Sequence, residues 1–394
     1  MILNNILKRI IKEGHLVWIK PSGEQIVYGD KTGEQIRVKT TKDFSEIKLL
    51  MNPEMYFGES YMKGSLVVEN NSLLIFLKLI FSNTDPEINH WVMKTSKIFK
   101  AFTSNIIQNN YIYRSKSNVA HHYDLSDKLY ELFLDKDRQY SCAYFNSPND
   151  TLDQAQQNKK ELIAKKLLLK EGQNVLDIGS GWGGMAGFLS KRSNVKVKGV
   201  TLSEEQFEYS CKRKREESLD KVEFELKDYR NVNEIYDRIV SIGMLEHVGT
   251  PHYQEFFNKV YNLLNLKGIA LIHTIGRFDQ PGYPSPWINK YIFPGGHIPA
   301  LSEIMQRVEK SGLVTTDVEV LKFHYAETLK RWRYNFYDNL SRVKEIYDST
   351  FCRMWDFYLT SSQASFEESD LVVYQLQLSK DKKTVPDTRD YLLS

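Results

Sequence analysis

The sequence predicts an α/β protein: a mainly parallel sheet with helices on both faces, preceded by a small mixed α+β domain. Three observations predict it. From Asn174 onward, short apolar runs alternate with helical stretches, the pattern of a covered parallel sheet. One run, Val175-Leu176-Asp177-Ile178, passes directly into Gly179-Ser180-Gly181-Trp182-Gly183-Gly184, a glycine-rich strand-to-helix turn. The first 110 residues lack that alternation. The expected boundaries are therefore 1–110 and 111–394, with a Pro-, Gly- and aromatic-rich insertion over the site at about 278–300.

In the opening domain, Ile2, Leu3, Ile6, Leu7, Ile10 and Ile11 share one helical face, suiting either an interfacial helix or one packed on its own domain. Short strands follow at Leu16–Ile19, Gln25–Val27 and Gln35–Val38, with Gly23 and Gly33 in the turns. Helices are expected at Leu73–Phe81 and Trp91–Asn110, then a polar bridge, Tyr113–Asn118. The second domain should carry strands at Asn174–Ile178, Val195–Leu202, Val222–Leu226, Arg238–Ile242 and Ile269–Thr274. A late strand, Leu371–Leu378, should close the sheet edge, and Phe278–Ala300 should be irregular.

Composition narrows the function. The 394 residues suffice for a large core, and a net charge of +3 argues against a nucleic-acid partner. Lys8, Arg9, Lys12, Lys94, Lys97, Lys100, Arg114 and Lys116 gather in the first third. They suit an anionic phospholipid surface, and equally a solvated face. Cys142, Cys211 and Cys352 have neither metal spacing nor a disulfide pattern, so no metal and a reducing cytoplasmic setting are expected. Met1–Lys12 lacks the layout of a signal peptide. The longest apolar run, Leu73–Phe81, is broken by Lys78 and falls short of the roughly 20 residues that span a bilayer, so membrane contact should be peripheral.

The glycine turn brings backbone close to a ligand and aims helix N–H groups at it. Gly179, Gly181 and Gly183 are the expected contacts, and Asp177 can organise the turn or meet a cationic ligand. The next strand ends in Thr201-Leu202-Ser203-Glu204-Glu205-Gln206. Thr201 stands where dinucleotide enzymes carry a ribose-binding acid, and Gln206 can reach a ribose from the helix. Ser203 and Gln206 also fit a capping box. After the third strand, Asp228 can accept from an adenine amino group and Tyr229 can stack on the ring. This order suits S-adenosylmethionine on a Rossmann-like methyltransferase sheet better than a dinucleotide.

At this point the chain resembles the cyclopropane-fatty-acyl-phospholipid synthases and the related mycolic acid cyclopropane synthases. The resemblance rests on His121-His122-Tyr123-Asp124-Leu125, Tyr140-Ser141-Cys142-Ala143-Tyr144-Phe145, the glycine turn, and Thr201 to Gln206. It continues through Ser241-Ile242-Gly243-Met244-Leu245-Glu246-His247-Val248-Gly249, His273-Thr274-Ile275-Gly276, Trp287 to Gly296 and His324-Tyr325-Ala326. It runs from about residue 113 to the end, and Gly58 to Gly64 match the longer bacterial members.

The resemblance implies a class I S-adenosylmethionine methyltransferase sheet and methylene transfer to a cis double bond of a phospholipid acyl chain in the bilayer. It implies a bicarbonate ion held by Cys142, Glu246, His273 and Tyr325 with a backbone contact from Ile275. Tyr140 and Ser141 would meet the methionine end of the cofactor. A homodimer, cytoplasmic and peripheral at the inner membrane face, is implied too. Tyr283, Trp287, Tyr291 and Phe293, with Tyr229, Tyr325 and Trp332, are candidates to line the acyl channel.

The chemistry accounts for this residue set. An alkene is a feeble nucleophile, so alignment in a dry pocket is the protein's main lever. Methyl attack leaves a carbocation, which aromatic faces stabilise by roughly 1–2 kcal/mol each. A base must then take a proton from the new methyl for the ring to close. A held anion supplies that base, and Glu246 sharing its proton avoids two adjacent negative charges; Glu246 acting directly ranks second. Two other outcomes stay open: a methyltransferase on another lipid or alkene, and a non-catalytic lipid-binding relative. The glycines alone also admit a dinucleotide oxidoreductase, against which Thr201 speaks.

Overall fold

The computed structural model describes residues 2–71, 73–83 and 126–393. The expected helix Trp91–Asn110, the bridge Tyr113–Asn118, the motif His121–Leu125, the cations Lys94, Lys97, Lys100, Arg114 and Lys116, and the boundary at residue 110 lie outside the described residues. The chain forms two compact units. One comprises Met1–Ser104, Pro284–Ile292 and Leu329–Asp370; the other comprises Asn105–Tyr283, Phe293–Thr328 and Leu371–Ser394. The opening domain is thus completed by two later segments, which a single cut in the sequence does not anticipate.

In the first unit, β1 (His15–Ile19), β2 (Gln25–Tyr28), β3 (Gln35–Thr40) and β4 (Leu66–Val68) form a sheet of order β2-β1-β3-β4. The three-residue β4 was not expected. The helix Ile2–Ile10 buries Leu3 and Leu7, and Tyr28 Oη donates to Asn4 Oδ1 at 3.0 Å, so the packed reading of this amphipathic helix holds. The long helix Ser349–Glu368 packs on Pro53–Lys63 and Leu73–Ser82. Lys78, the break in the apolar run, pairs with Glu367 at 3.0 Å and Glu368 at 3.1 Å. At Gly58 a Cβ would lie 2.5 Å from the Trp287 ring, so only glycine admits this close approach. The short helix Pro286–Tyr291 corrects the expectation that Phe278–Ala300 is irregular throughout; Pro286 sits in its first turn, where its missing N–H costs nothing.

The second unit holds a seven-stranded sheet: β5 (Asn174–Ile178), β6 (Lys196–Thr201), β7 (Val222–Leu226), β8 (Tyr236–Ile242), β9 (Leu264–Arg277), β10 (Val314–Leu321) and β11 (Leu371–Ser379). The order is β10-β11-β9-β8-β5-β6-β7. Strands β5 to β9 run parallel, and β11 and β10 add antiparallel pairings. Strand β11 does not close the edge as expected; it lies between β9 and β10. Strand β10 was missed because Thr315, Thr316, Asp317 and Glu319 break up its apolar residues, the composition of a half-exposed edge. Apolar clusters cover both sheet faces. Strand β11 sends Val372, Tyr374, Leu376 and Leu378 into one of them, and buries Gln375 and Gln377 on the opposite face. Among the described residues, no helix is long and apolar enough to cross a membrane. The three cysteines are free thiols.

Candidate active site

Parallel strands deliver their carboxyl ends, and the loops that follow, to one edge of the sheet, where ligands bind in such folds. Here β5 runs into the glycine turn. Gly179, Gly181 and Gly183 all have positive φ, at 80°, 55° and 81°. The Gly179 and Ser180 amides donate to Val200 O at 3.0 and 3.1 Å, binding the turn to the end of β6. A cavity opens beside it, lined by Gly179, Thr201, Leu202, Gln206, Asp228 and Tyr229 together with Met244 and His247. Six of the expected cofactor residues therefore share one wall. Asp177, Gly181 and Gly183 belong to the same strand and turn but do not line this cavity.

The side chains on that wall are already organised. Ser203 Oγ caps the helix Glu204–Glu216 by accepting from Gln206 N at 3.2 Å, but Gln206 Oε1 accepts from Thr201 Oγ1 at 3.0 Å. Only half of the capping box forms, because the glutamine side chain turns to the cavity wall. Asp228 Oδ1 accepts from the Arg230 amide and Nε, both at 2.9 Å, and Oδ2 accepts from Arg230 Nη2 at 2.7 Å. Tyr229 is mostly core, edge-on to Phe256 at 5.5 Å. Asp177 is buried, its Oδ2 has no hydrogen-bond partner among the described residues, and desolvation pushes its carboxyl up to about 7.

A second cluster forms where β8 and β9 end. Glu246 sits in the 3-10 turn Leu245–His247, between the cavity residues Met244 and His247. Its Oε1 accepts from the Ile275 amide at 2.5 Å, and its buried Oε2 has no hydrogen-bond partner among the described residues. Burial pushes this carboxyl up to about 7, against the lowering effect of the Ile275 N–H. The Ile275 amide, expected to hold an anion, is here engaged by the carboxylate. His273 is buried on β9, and desolvation together with the Lys159 and Lys166 charges holds it well below the usual imidazole range, so it is neutral. Burial also drives His247 down to about 4; its ring meets Phe293 edge-on at 5.6 Å.

Cys142 lies on the loop after the helix Asp127–Phe133. Tyr140 is packed edge-on against Tyr130 at 5.4 Å and Phe133 at 6.0 Å. The loop is fastened to the start of the helix His324–Asp338: Ala143 N donates to Thr328 Oγ1 at 3.0 Å, Phe145 N to His324 Nδ1 at 3.1 Å, and Tyr144 stacks on His324 at 4.6 Å. This carries Cys142 to the helical turn that bears Tyr325. Both are buried, and desolvation pushes the Cys142 thiol far up, so it is protonated.

A buried lysine beside Cys142 escaped the sequence reading. Lys159, fully buried, donates from Nζ to Gln139 Oε1 at 2.6 Å and to Ser141 Oγ at 2.9 Å. Desolvation lowers it to about 8, partly offset by Asp135. Its charge acts on Cys142, Asp177 and His273, so it couples the loop, the glycine strand and β9 electrostatically. A lysine ordinarily reads as solvent-facing. The available signal was its place in the buried stripe Leu152, Ala155, Gln156, Lys159, Ile163.

The chain matches the family described as mycolic acid cyclopropane synthetase over residues 112–376. It is 36% identical over 349 residues to the cyclopropane-fatty-acyl-phospholipid synthase of Escherichia coli, covering 88% of this chain and 87% of that protein. The solved cyclopropane synthase MmaA2 from Mycobacterium tuberculosis superposes with a TM-score of 0.63 at 33% identity, over 67% of this chain and 98% of that one. Mycolic acid cyclopropane synthase CmaA1, solved with SAH and CTAB, gives the same TM-score of 0.63 at 33% identity, over 67% of this chain and 97% of that one. The chain is an S-adenosylmethionine-dependent enzyme of the methyltransferase fold, and it belongs to the mycolic acid cyclopropane synthetase family.

Proposed function

We propose that this enzyme transfers a methylene group from S-adenosylmethionine to the cis double bond of unsaturated phospholipid acyl chains and closes a cyclopropane ring. The observation that carries the reading is the hydrogen bond from Ile275 to the buried Glu246, which joins the turn after β8 to the strand that bears buried His273, while Met244 and His247 of that turn line the cavity. The named activity of the Escherichia coli relative supports the phospholipid substrate.

When bound, S-adenosylmethionine supplies an electrophilic methyl and bicarbonate supplies an oxygen base. Thr201, Leu202, Gln206, Asp228 and Tyr229 would hold the nucleoside, with Gly179 leaving room for it; Tyr140 and Ser141 would take the methionine end. The donor set fits a small anion. Glu246 Oε2 is buried with no hydrogen-bond partner among the described residues, and its carboxyl, at about 7, carries a proton much of the time near neutral pH. A protonated carboxyl donates to an anion rather than repelling it. His273 is a neutral imidazole, and the Cys142 thiol keeps its proton. Tyr325 adds a buried phenol. Ile275 acts through its amide on Glu246, fixing the carboxyl's direction. Burial of all these groups excludes water, which would otherwise trap the cationic acyl chain as an alcohol.

The first unit serves, on this reading, as the peripheral membrane contact at the inner face. The helix Glu46–Met51 leaves Ile47 71% and Met51 80% exposed beside Lys48, an apolar and cationic combination suited to an anionic bilayer. The homodimer is proposed on the resemblance alone, and sedimentation of the full chain reads it directly.

The test is incubation with S-adenosylmethionine, bicarbonate and vesicles of unsaturated phospholipid, followed by mass spectrometry of the released fatty acids. The expected product gains one CH₂ and resists ozonolysis. A product that gains CH₂ and still cleaves is a methyl-branched alkene, and the enzyme is then a plain lipid methyltransferase. Vesicle binding without cofactor consumption identifies a lipid-binding relative.

A further inference from the structure

Three adjacent strands place Glu319, Gln375 and His273 directly opposite one another: Glu319 on β10 faces Gln375 on β11, and Gln375 faces His273 on β9. Gln375 and His273 are buried there, on the face opposite the apolar side chains of β11. A polar row inside a sheet is costly unless each group is paired, and this row is closed by a lysine. Lys166, fully buried in the last turn of the helix Leu152–Lys166, donates from Nζ to Glu319 Oε2 and to Gln375 Oε1, the latter at 2.7 Å. Asp317 lies 3.9 Å from the same ammonium, and Arg389 lies 3.2 Å from Asp317.

This chain of contacts removes an ambiguity that imidazoles usually carry. An ammonium has donors and no acceptor, so the amide oxygen of Gln375 must face Lys166. The NH₂ group then faces His273, and its Nε2 lies 3.1 Å from His273 Nδ1. An amide NH₂ can only donate, so Nδ1 must be the unprotonated, accepting nitrogen. In a neutral ring the proton is therefore on Nε2. Nε2 is then the ring's one hydrogen-bond donor.

We infer that Gln375, oriented by Lys166, is a positioning residue that holds His273 in its Nε2–H tautomer, so that the ring presents a neutral N–H donor to the reacting centre. The inference rests on the proposed anion-holding role of His273 for its catalytic meaning, but the tautomer itself follows from the donor and acceptor inventory. The opposite tautomer would turn a bare nitrogen lone pair toward a bound anion.

The experiment is a long-range ¹H–¹⁵N spectrum of the full chain labelled with ¹⁵N-histidine, with His273 assigned from a His273→Gln sample. The expected spectrum shows Nε2 protonated and Nδ1 bare at neutral pH. A proton on Nδ1, or an imidazolium, overturns the inference. A Gln375→Glu variant keeps the partner for Lys166 but offers His273 an acceptor, so Nδ1 should gain a proton. Its kcat should fall roughly 100-fold, the scale of a misplaced donor or tautomer, while KM for S-adenosylmethionine stays within about twofold. An unchanged Nε2–H tautomer in Gln375→Glu also overturns the positioning role. A shifted tautomer with unchanged turnover upholds the positioning and removes His273 from the proposed chemistry, so the two failures are separable.

Discussion

The Ile275 amide donates to Glu246 Oε1 at 2.5 Å, joining the turn after β8 to the end of β9 across 29 residues of chain. That bond fixes one carboxylate oxygen, while the other, Oε2, is buried with no hydrogen-bond partner among the described residues. Glu246 is thereby aimed and desolvated at once.

Glu246 should set the pH dependence of turnover. With its carboxyl at about 7 and active when protonated, kcat/KM should fall as pH rises through neutrality, and Glu246→Gln should flatten that limb while lowering turnover severely. A limb that rises through the same pH would instead make the carboxylate itself the base. The same group carries a stability cost. Its folded pKa is raised, so its contribution is present below about 4.5 and is lost as pH rises through about 7. Glu246→Gln keeps an acceptor for Ile275 and should be more stable than the parent at alkaline pH, by about 3 kcal/mol at most. Thermal melts of both proteins at acidic and alkaline pH measure the difference.

Cys142→Ser tests the loop. The buried thiol is a protonated donor, and serine keeps a donor with altered length and polarity. We expect kcat to fall about tenfold to 100-fold, with the affinity for S-adenosylhomocysteine within about threefold. Calorimetric titration beside initial-rate measurements separates the two; parallel losses would point to a misfolded loop.

Two glycines of the turn should behave differently. At Gly183 φ is +81° and an added Cβ would lie 2.6 Å from Phe224 Cζ, so Gly183→Ala combines strain with overpacking and should cost about 2–4 kcal/mol of stability. At Gly181 φ is +55° and, among the described residues, no atom lies within 4 Å of an added Cβ. Gly181→Ala should cost only about 1–2 kcal/mol, and any larger loss of S-adenosylhomocysteine affinity would report a ligand against that backbone. Denaturant titration and calorimetry on both variants give the comparison.

Ile47 and Met51 test the membrane contact without dismantling the fold. Replacing both with Asp should leave the melting temperature nearly unchanged, since both are exposed, and should reduce sedimentation with anionic vesicles about tenfold or more. Unchanged vesicle binding would place the lipid contact elsewhere. Deleting residues 1–110 is the poorer experiment, because it would strip Met62 from Trp287, Phe57 and Tyr61 from Phe357, and two packed helices from Ser349–Glu368.

Local patterns in the sequence carried much of the architecture. Strands β5 and β7 fall on their expected residues: β5 is a short buried apolar run, and the edge strand β7 alternates buried Val222 and Phe224 with Glu223 and Glu225. Six cofactor candidates line one cavity because loops after parallel strands converge whatever their sequence. The failures differ in cause. Strand β10 carries edge polarity, and Gln206 gives up half of a capping box for Thr201, a choice between two local partners. Lys159 and Lys166 are buried lysines whose partners lie outside any window of neighbouring residues.

The interleaving of the first unit has a consequence for biosynthesis. Its closing helix ends at Glu368, so a nascent chain that has emitted only its first hundred residues holds an unfinished core. Ribosome-bound intermediates must keep the faces that later receive Trp287 and Phe357 solvated or shielded until nearly the whole polypeptide has emerged. Assembly of this unit is therefore late, and holding chaperones have longest access to the amino-terminal strands.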